Sequence, residues 1–152
     1  TNLNSTILYV THDQAEATTL ADKIGVLKEG HLVQIGTPEE IYENPNSIYV
    51  SQRLGSPKIN ILPGTLLGMD DVPTFGIRPE NITIGNGNHS AKIISIENLG
   101  SETVVALNFK DQEILVSIQG NYKSSINDTI NFDINNEKVL KFDQEGNRIY
   151  ER

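Results

Sequence analysis

Ile7-Leu8-Tyr9-Val10-Thr11-His12-Asp13-Gln14-Ala15-Glu16 is the stretch whose reading decides the fold class. A four-residue apolar run of this kind suits a strand buried on both faces, as in an α/β sheet. Asp13 and Glu16 then have the spacing of a capping box, which predicts a helix over residues 13–21. His12 falls at the carboxyl end of the strand and beside the helix N-terminus. Open α/β sheets bind ligands at that edge, and unpaired N–H groups there favour an anion. A histidine so placed can donate to a phosphate oxygen or accept from an attacking water. On generic grounds alone, a satisfied turn histidine is the commoner outcome.

Downstream, the apolar runs at 24–27 and 32–35 read as further strands of the buried kind, joined by a hairpin turn at Lys28-Glu29-Gly30-His31, where Gly30 is free to take positive φ. Thr37-Pro38-Glu39-Glu40 predicts a helix over 38–43: Thr37 is the N-cap, proline takes the first helical position and Glu40 completes the box. Asn44-Pro45 ends it. An amphipathic stretch over 47–54 leads to Gly55-Ser56-Pro57, where the pattern changes.

From about Asn60 the text consists of short strands and turns. Strands are expected over 91–97, 103–109, 113–118, 129–134 and 138–142, separated by turn clusters such as Asn98-Leu99-Gly100-Ser101 and Gly120-Asn121. Residues 129–134 alternate polar and apolar, as a half-buried antiparallel strand does. Spacings of roughly 8–12 residues suit a small barrel or sandwich. The expected fold class is therefore α/β followed by all-β.

The 152 residues are 37% apolar, 6% aromatic and 21% charged, a globular composition with length for a sizeable core. Aliphatic and aromatic runs stop at four residues, far short of the roughly 20 that a membrane span needs. Twelve basic residues against twenty acidic ones give a net charge of −8. Without a basic groove or closely spaced aromatics, nucleic-acid binding is not expected. The absence of cysteine excludes disulfides, thiolate zinc sites and a cysteine nucleophile.

Met69 is the single methionine, and a strand-like run follows Thr1 almost at once, so the chain is expected to begin inside a domain whose first half is absent. No signal-peptide pattern is present, and the Asn-x-Ser/Thr matches at Asn4, Asn81, Asn88 and Asn127 are read as products of an Asn-rich composition.

Other polar residues have plain structural readings. His31 is expected in an exposed turn and His89 in a loop, Gly87-Asn88-His89-Ser90, so the histidines have no metal-ligand spacing and no metal site is assigned. Asp70-Asp71 beside Pro73 reads as a solvated turn. Arg78 and Glu80 flank Pro79, and a salt bridge or backbone-carbonyl contact is expected of Arg78 ahead of ligand binding. Gln14, Glu16 and Thr19 are expected either to line the ligand edge of the sheet or only to solvate their helix.

The residues 7–17 and the continuation Thr19-Leu20-Ala21-Asp22-Lys23-Ile24 resemble the switch-histidine segment of ABC-transporter ATP-binding subunits. Gly36-Thr37-Pro38-Glu39-Glu40-Ile41-Tyr42, Asn44-Pro45, Gly55-Ser56-Pro57-Lys58-Ile59-Asn60-Ile61-Leu62 and Gly76-Ile77-Arg78-Pro79-Glu80-Asn81 follow in order. The succession is similar to the maltose and glycerol-3-phosphate branch of importers, whose ATPase subunits carry an added OB-like (TOBE-type) regulatory domain. Thr18 departs from the methionine usual there. The barrel strands match less closely, with Phe142-Asp143 and Glu145-Gly146-Asn147-Arg148 resembling the closing segment.

The resemblance implies that residues 1–58 are the C-terminal part of a P-loop nucleotide-binding domain and residues 59–152 an OB-like barrel. It implies a subunit that dimerises around ATP and Mg2+, couples hydrolysis to import of a sugar or sn-glycerol-3-phosphate, and sits on the cytoplasmic face of the membrane. Permease subunits hold it there, with a solute-binding protein joining the complex. His12 would contact the γ-phosphate, a role an imidazole suits near neutral pH. No glycine in the chain precedes a lysine, so the GxxxxGK[ST] loop is absent, as are the signature, Q-loop and Walker B segments. ATP is not expected to bind tightly to this chain alone. The alternative is a catalytically inactive regulatory module whose barrel binds a small ligand or a partner protein.

Overall fold

The computed structural model describes Leu8, Val10 and residues 22–151. The helix expected over 13–21 lies outside the described residues. Of the strand expected over 7–10, Leu8 and Val10 are described, and both are exposed and outside regular structure.

β1 (Ile24–Lys28) and β2 (His31–Gly36) form an antiparallel hairpin in which Lys28 faces His31. The two turn residues, Glu29 and Gly30, both have positive φ, at 50° and 80°, the geometry that matches the twist of paired strands. The hairpin is not buried on both faces, as its apolar runs led us to expect. Ile24 and Val26 are buried, whereas Leu27, Leu32 and Ile35 are 56%, 56% and 62% exposed. Among the described residues, helices cover one face of this two-stranded sheet, joining Ile41, Val50 and Leu54 to Ile24 and Val26.

α1 (Pro38–Glu43) begins as its sequence dictates. Thr37 Oγ1 accepts from the Glu40 N–H at 3.1 Å, and Glu40 Oε2 accepts from the Thr37 N–H at 3.0 Å. α2 (Ile48–Ser51) is capped by Ser47, whose hydroxyl accepts from the Val50 N–H. The Ser56–Pro57 peptide bond that follows is cis.

The rest of the described chain is β. β3 (Asn60–Pro63) and β4 (Thr74–Ile77) pair antiparallel, and β9 (Leu140–Phe142) and β10 (Arg148–Ile149) complete a four-stranded sheet in the order β10-β9-β4-β3. A second sheet has the order β7-β6-β5-β8, from β5 (Ile82–Asn98), β6 (Glu102–Phe109), β7 (Gln112–Gln119) and β8 (Thr129–Ile134). One core fills the space between, with Phe75, Ile77, Leu107, Ile114, Val116 and Phe132 fully buried. The order of hairpin and helices first, then strands, is the one expected. β3, β4 and β10 were not placed from sequence, because strands of two to four residues carry too little alternation to register.

Gly87-Asn88-His89-Ser90 is not a loop. It lies within β5, whose register against β8 shifts between Ile84 and His89. Glycine permits this, since a Cβ on Gly87 would stand 2.0 Å from the Phe132 carbonyl oxygen. The His89 ring then contacts the rings of Phe109 and Phe132, at centroid distances of 5.4 and 5.2 Å. Among the described residues no helix is long and apolar enough to cross a membrane.

Candidate functional site

Helices as short as α1 and α2 leave much of their hydrogen-bonding capacity unmet at the carboxyl end, and neither has a basic residue in its last turn. Arg78 supplies that cation from a distance. Its Nη1 donates to the Ser51 and Leu54 carbonyls at 3.0 and 2.7 Å, and its Nη2 donates to the Tyr42 carbonyl at 3.0 Å. The guanidinium also stacks on the Tyr42 ring, 4.0 Å from its centroid. Arg78 is 4% exposed, and it leaves β4 directly before the Pro79–Asn81 turn, so one side chain of the β part holds both helices.

Gly55 makes room for it. With φ at 103°, Gly55 holds a backbone shape that side chains rarely adopt, and a Cβ there would meet Arg78 Nη1 at 3.0 Å. The Tyr42 hydroxyl donates to Glu80. Burial, then the bond to Glu80 and the charge of that carboxylate, raise the Tyr42 phenol well above the ordinary tyrosine range. Burial lowers the Arg78 guanidinium, while Tyr42, Glu80 and Glu43 oppose that shift. An arginine remains charged under such opposing influences.

A second set of contacts closes the same junction from the end of the chain. Ser47 bridges to Asn147, the Ile48 N–H donates to the Gly146 carbonyl at 2.9 Å, and Arg148 Nη1 donates to the Pro45 carbonyl at 3.2 Å. Lys138 pairs with Glu43 at 3.2 Å. Between α1, the Pro79–Asn81 turn, β9 and β10 lies a polar cleft of about 240 Å³, lined in part by Tyr42, Arg78, Lys138 and Arg148.

The backbone-carbonyl role expected of Arg78 is what the structure shows. Glu80 engages Tyr42. His31 is exposed at the start of β2, and His89 packs on aromatic rings far along β5. Asp70 and Asp71 are exposed ahead of β4, and no group of three or more His, Asp or Glu among the described residues is arranged to hold a metal. His12, Gln14, Glu16, Thr18 and Thr19 lie outside the described residues. Sequence reading did not single out Glu43, Lys138 or Arg148 as neighbours of Arg78. The signals that pointed to this region were Arg78 and Glu80 flanking Pro79 and the resemblance carried by residues 76–81.

The segment from β4 to β9, residues 75–142, matches the TOBE domain family. Over 98% of its length the chain is 35% identical to an sn-glycerol-3-phosphate import ATP-binding protein of Psychromonas ingrahamii, covering 47% of that protein. It is 31% identical to an alpha-glucoside transport ATP-binding protein of Rhizobium meliloti, over 94% of the chain and 48% of the relative. The chain belongs to the TOBE-bearing ATP-binding subunits of ABC importers. An uncharacterized ABC transporter ATP-binding protein of Sinorhizobium fredii is 36% identical over 77% of the chain and 38% of its own length. The chain thus spans less than half the length of these relatives.

In this ABC subunit the junction around Arg78 falls where the TOBE match begins. The sequence has no Gly-Lys pair and so carries no GxxxxGK[ST] phosphate-cradling loop.

Proposed function

We propose that this chain is the C-terminal part of an ATP-binding subunit that couples ATP hydrolysis to import of a sugar or sn-glycerol-3-phosphate. Residues 1–58 complete the nucleotide-binding domain and residues 59–152 form the regulatory barrel. His12 holds the γ-phosphate, and the loops that cradle ATP and Mg2+ belong to sequence beyond this chain. The subunit works as a homodimer against permease subunits at the cytoplasmic face of the membrane, in a complex that a solute-binding protein serves.

The observation that carries this reading is a likeness to importer subunits extending over 94–98% of the chain, on both sides of the Arg78 junction. The solute follows from the names of those relatives and is an inference by association.

The test begins with the intact mass of the native protein, detected in its own cells with an antibody against the barrel. A mass about twice 16.8 kDa or more is expected. In that native-length subunit, His12→Ala should abolish or strongly reduce MgATP turnover. Retained turnover removes His12 from the catalytic residues, and a native mass near 16.8 kDa replaces the whole reading with that of an inactive regulatory module.

A further inference from the structure

Asn86-Gly87 is the single Asn-Gly pair in the sequence, and β5 carries it through an interruption in its pairing. Ile84 and His89 both face Phe132 of β8, so residues 85–88 have no partner in register there. On the other edge, pairing of β5 with β6 begins only at Lys92. Gly85 takes a φ of 130°, and Asn86, Gly87 and Asn88 are exposed. The Asn86 side-chain amide has no hydrogen-bond partner among the described residues. Asn46, which precedes a serine, is the contrast. Its Nδ2 donates to the Val33 carbonyl at 2.8 Å, and its backbone N–H donates to Gln34 Oε1 at 2.8 Å.

The backbone nitrogen that follows an asparagine can attack the side-chain amide carbon where the chain between them is free to turn. Glycine favours the attack, because it has no Cβ to screen its nitrogen and allows the widest choice of backbone shapes. Strand pairing on both edges opposes it by holding the chain extended. The interruption at 85–88 lifts that restraint, and exposed segments with few contacts open at the least cost. We propose that Asn86 deamidates spontaneously, ahead of the other described asparagines, and gives the barrel a second, more acidic form. The Gly87 nitrogen loses its proton and bonds to Asn86 Cγ, the Cγ–Nδ2 bond breaks, and the amide leaves with a proton as ammonia. Water then opens the cyclic imide at either carbonyl, its hydroxyl going to the carbon and its proton back to the Gly87 nitrogen. One product is aspartate. The other is isoaspartate, whose main chain runs through the former side chain and is one carbon longer. Either product adds one negative charge and about 1 Da. This inference rests on β5 and is independent of ATP hydrolysis.

The experiment is storage of the full chain at physiological temperature and slightly alkaline pH, then digestion at acidic pH and mass spectrometry with fragmentation that separates isoaspartate from aspartate. A free peptide of residues 82–92 is stored beside it as the reference. The Asn86 fragment of the folded chain is expected to gain about 1 Da in both forms, within about tenfold of the free peptide's rate and at least about tenfold faster than the Asn46 fragment. Asn86→Gln should lack the acidic species on ion exchange, because glutamine has to close a larger ring. A folded chain more than about tenfold slower than the peptide overturns the proposal, since β5 would then hold the segment extended without its pairing. Conversion at Asn46 or Asn127 that keeps pace with Asn86 overturns it too, as does an acidic species that persists in Asn86→Gln.

Discussion

The side-chain amide of Asn60 pairs with the backbone of Leu115 as a neighbouring strand would: Nδ2 donates to the Leu115 carbonyl at 2.9 Å and Oδ1 accepts from the Leu115 N–H at 2.8 Å. Nδ2 also donates to the Ile77 carbonyl at 3.2 Å. β3 and β7 are the edges of two different sheets, and this one buried side chain joins them. A sheet edge left bare exposes unpaired backbone groups, so Asn60 closes the β part where a strand is missing.

Asn60→Leu keeps most of the volume and removes all three bonds, leaving the Leu115 N–H and carbonyl without this partner. We expect a loss of about 2–3 kcal/mol in urea unfolding, the cost of orphaned backbone groups. A loss under about 0.5 kcal/mol, the size of an ordinary surface change, would show that water replaces the amide.

Arg78→Met retains an apolar stem and loses the three carbonyl contacts. Stability should fall by about 2 kcal/mol or more. Amide exchange should accelerate first over residues 38–54, while β5 to β8 stay protected. Arg78→Lys should rescue little, because an ammonium cannot reproduce a planar fork reaching Tyr42, Ser51 and Leu54. Uniform loss of protection across the chain would contradict this division.

Tyr42 gives a pH signature. Its folded-state pKa is raised above the ordinary value of 10.0, so its contribution to stability is fully present below that pH. The unfolded chain releases the proton first, and stability is lost as pH rises beyond 10.0. Tyr42→Phe should flatten the slope of unfolding free energy against pH in that alkaline range. Parallel slopes for the two proteins would mean that Tyr42 does not keep its proton through the Glu80 contact.

Gly87→Ala tests the reading of 87–90 as strand. The added methyl would meet the Phe132 carbonyl carbon at 2.2 Å as well as its oxygen, and both are backbone atoms that cannot swing aside. Overpacking of this type costs about 1–3 kcal/mol, and the variant should show it in thermal unfolding together with a changed environment for His89. A loop at this position would accept alanine at almost no cost.

Local chemistry made much of the chain legible. The Glu29-Gly30 turn, the Thr37–Glu40 capping box and the alternation in β8 are decided by residues within a few positions of one another, and each has the form its sequence predicts. The family, too, was legible in the order of short motifs from Gly36 to Asn81. His12 rested on the same kind of signal, and the chemistry assigned to it awaits the native-length subunit.

Tertiary structure alone decided where those elements meet. A segment such as Leu32-Val33-Gln34-Ile35 reads as a strand from its own residues, but which of its side chains are covered depends on segments distant in the chain. Arg78 reaches Tyr42, Ser51 and Leu54 across 24–36 residues, and Asn60 reaches Leu115 across 55. Periodicity and capping signals act over one or two turns of chain, whereas these partners are chosen by the strand order that brings distant segments together. The sequence therefore determined the locally encoded turn, cap and alternation together with the family, and the fold decided the short strands β3, β4 and β10, the junction and its closing asparagine.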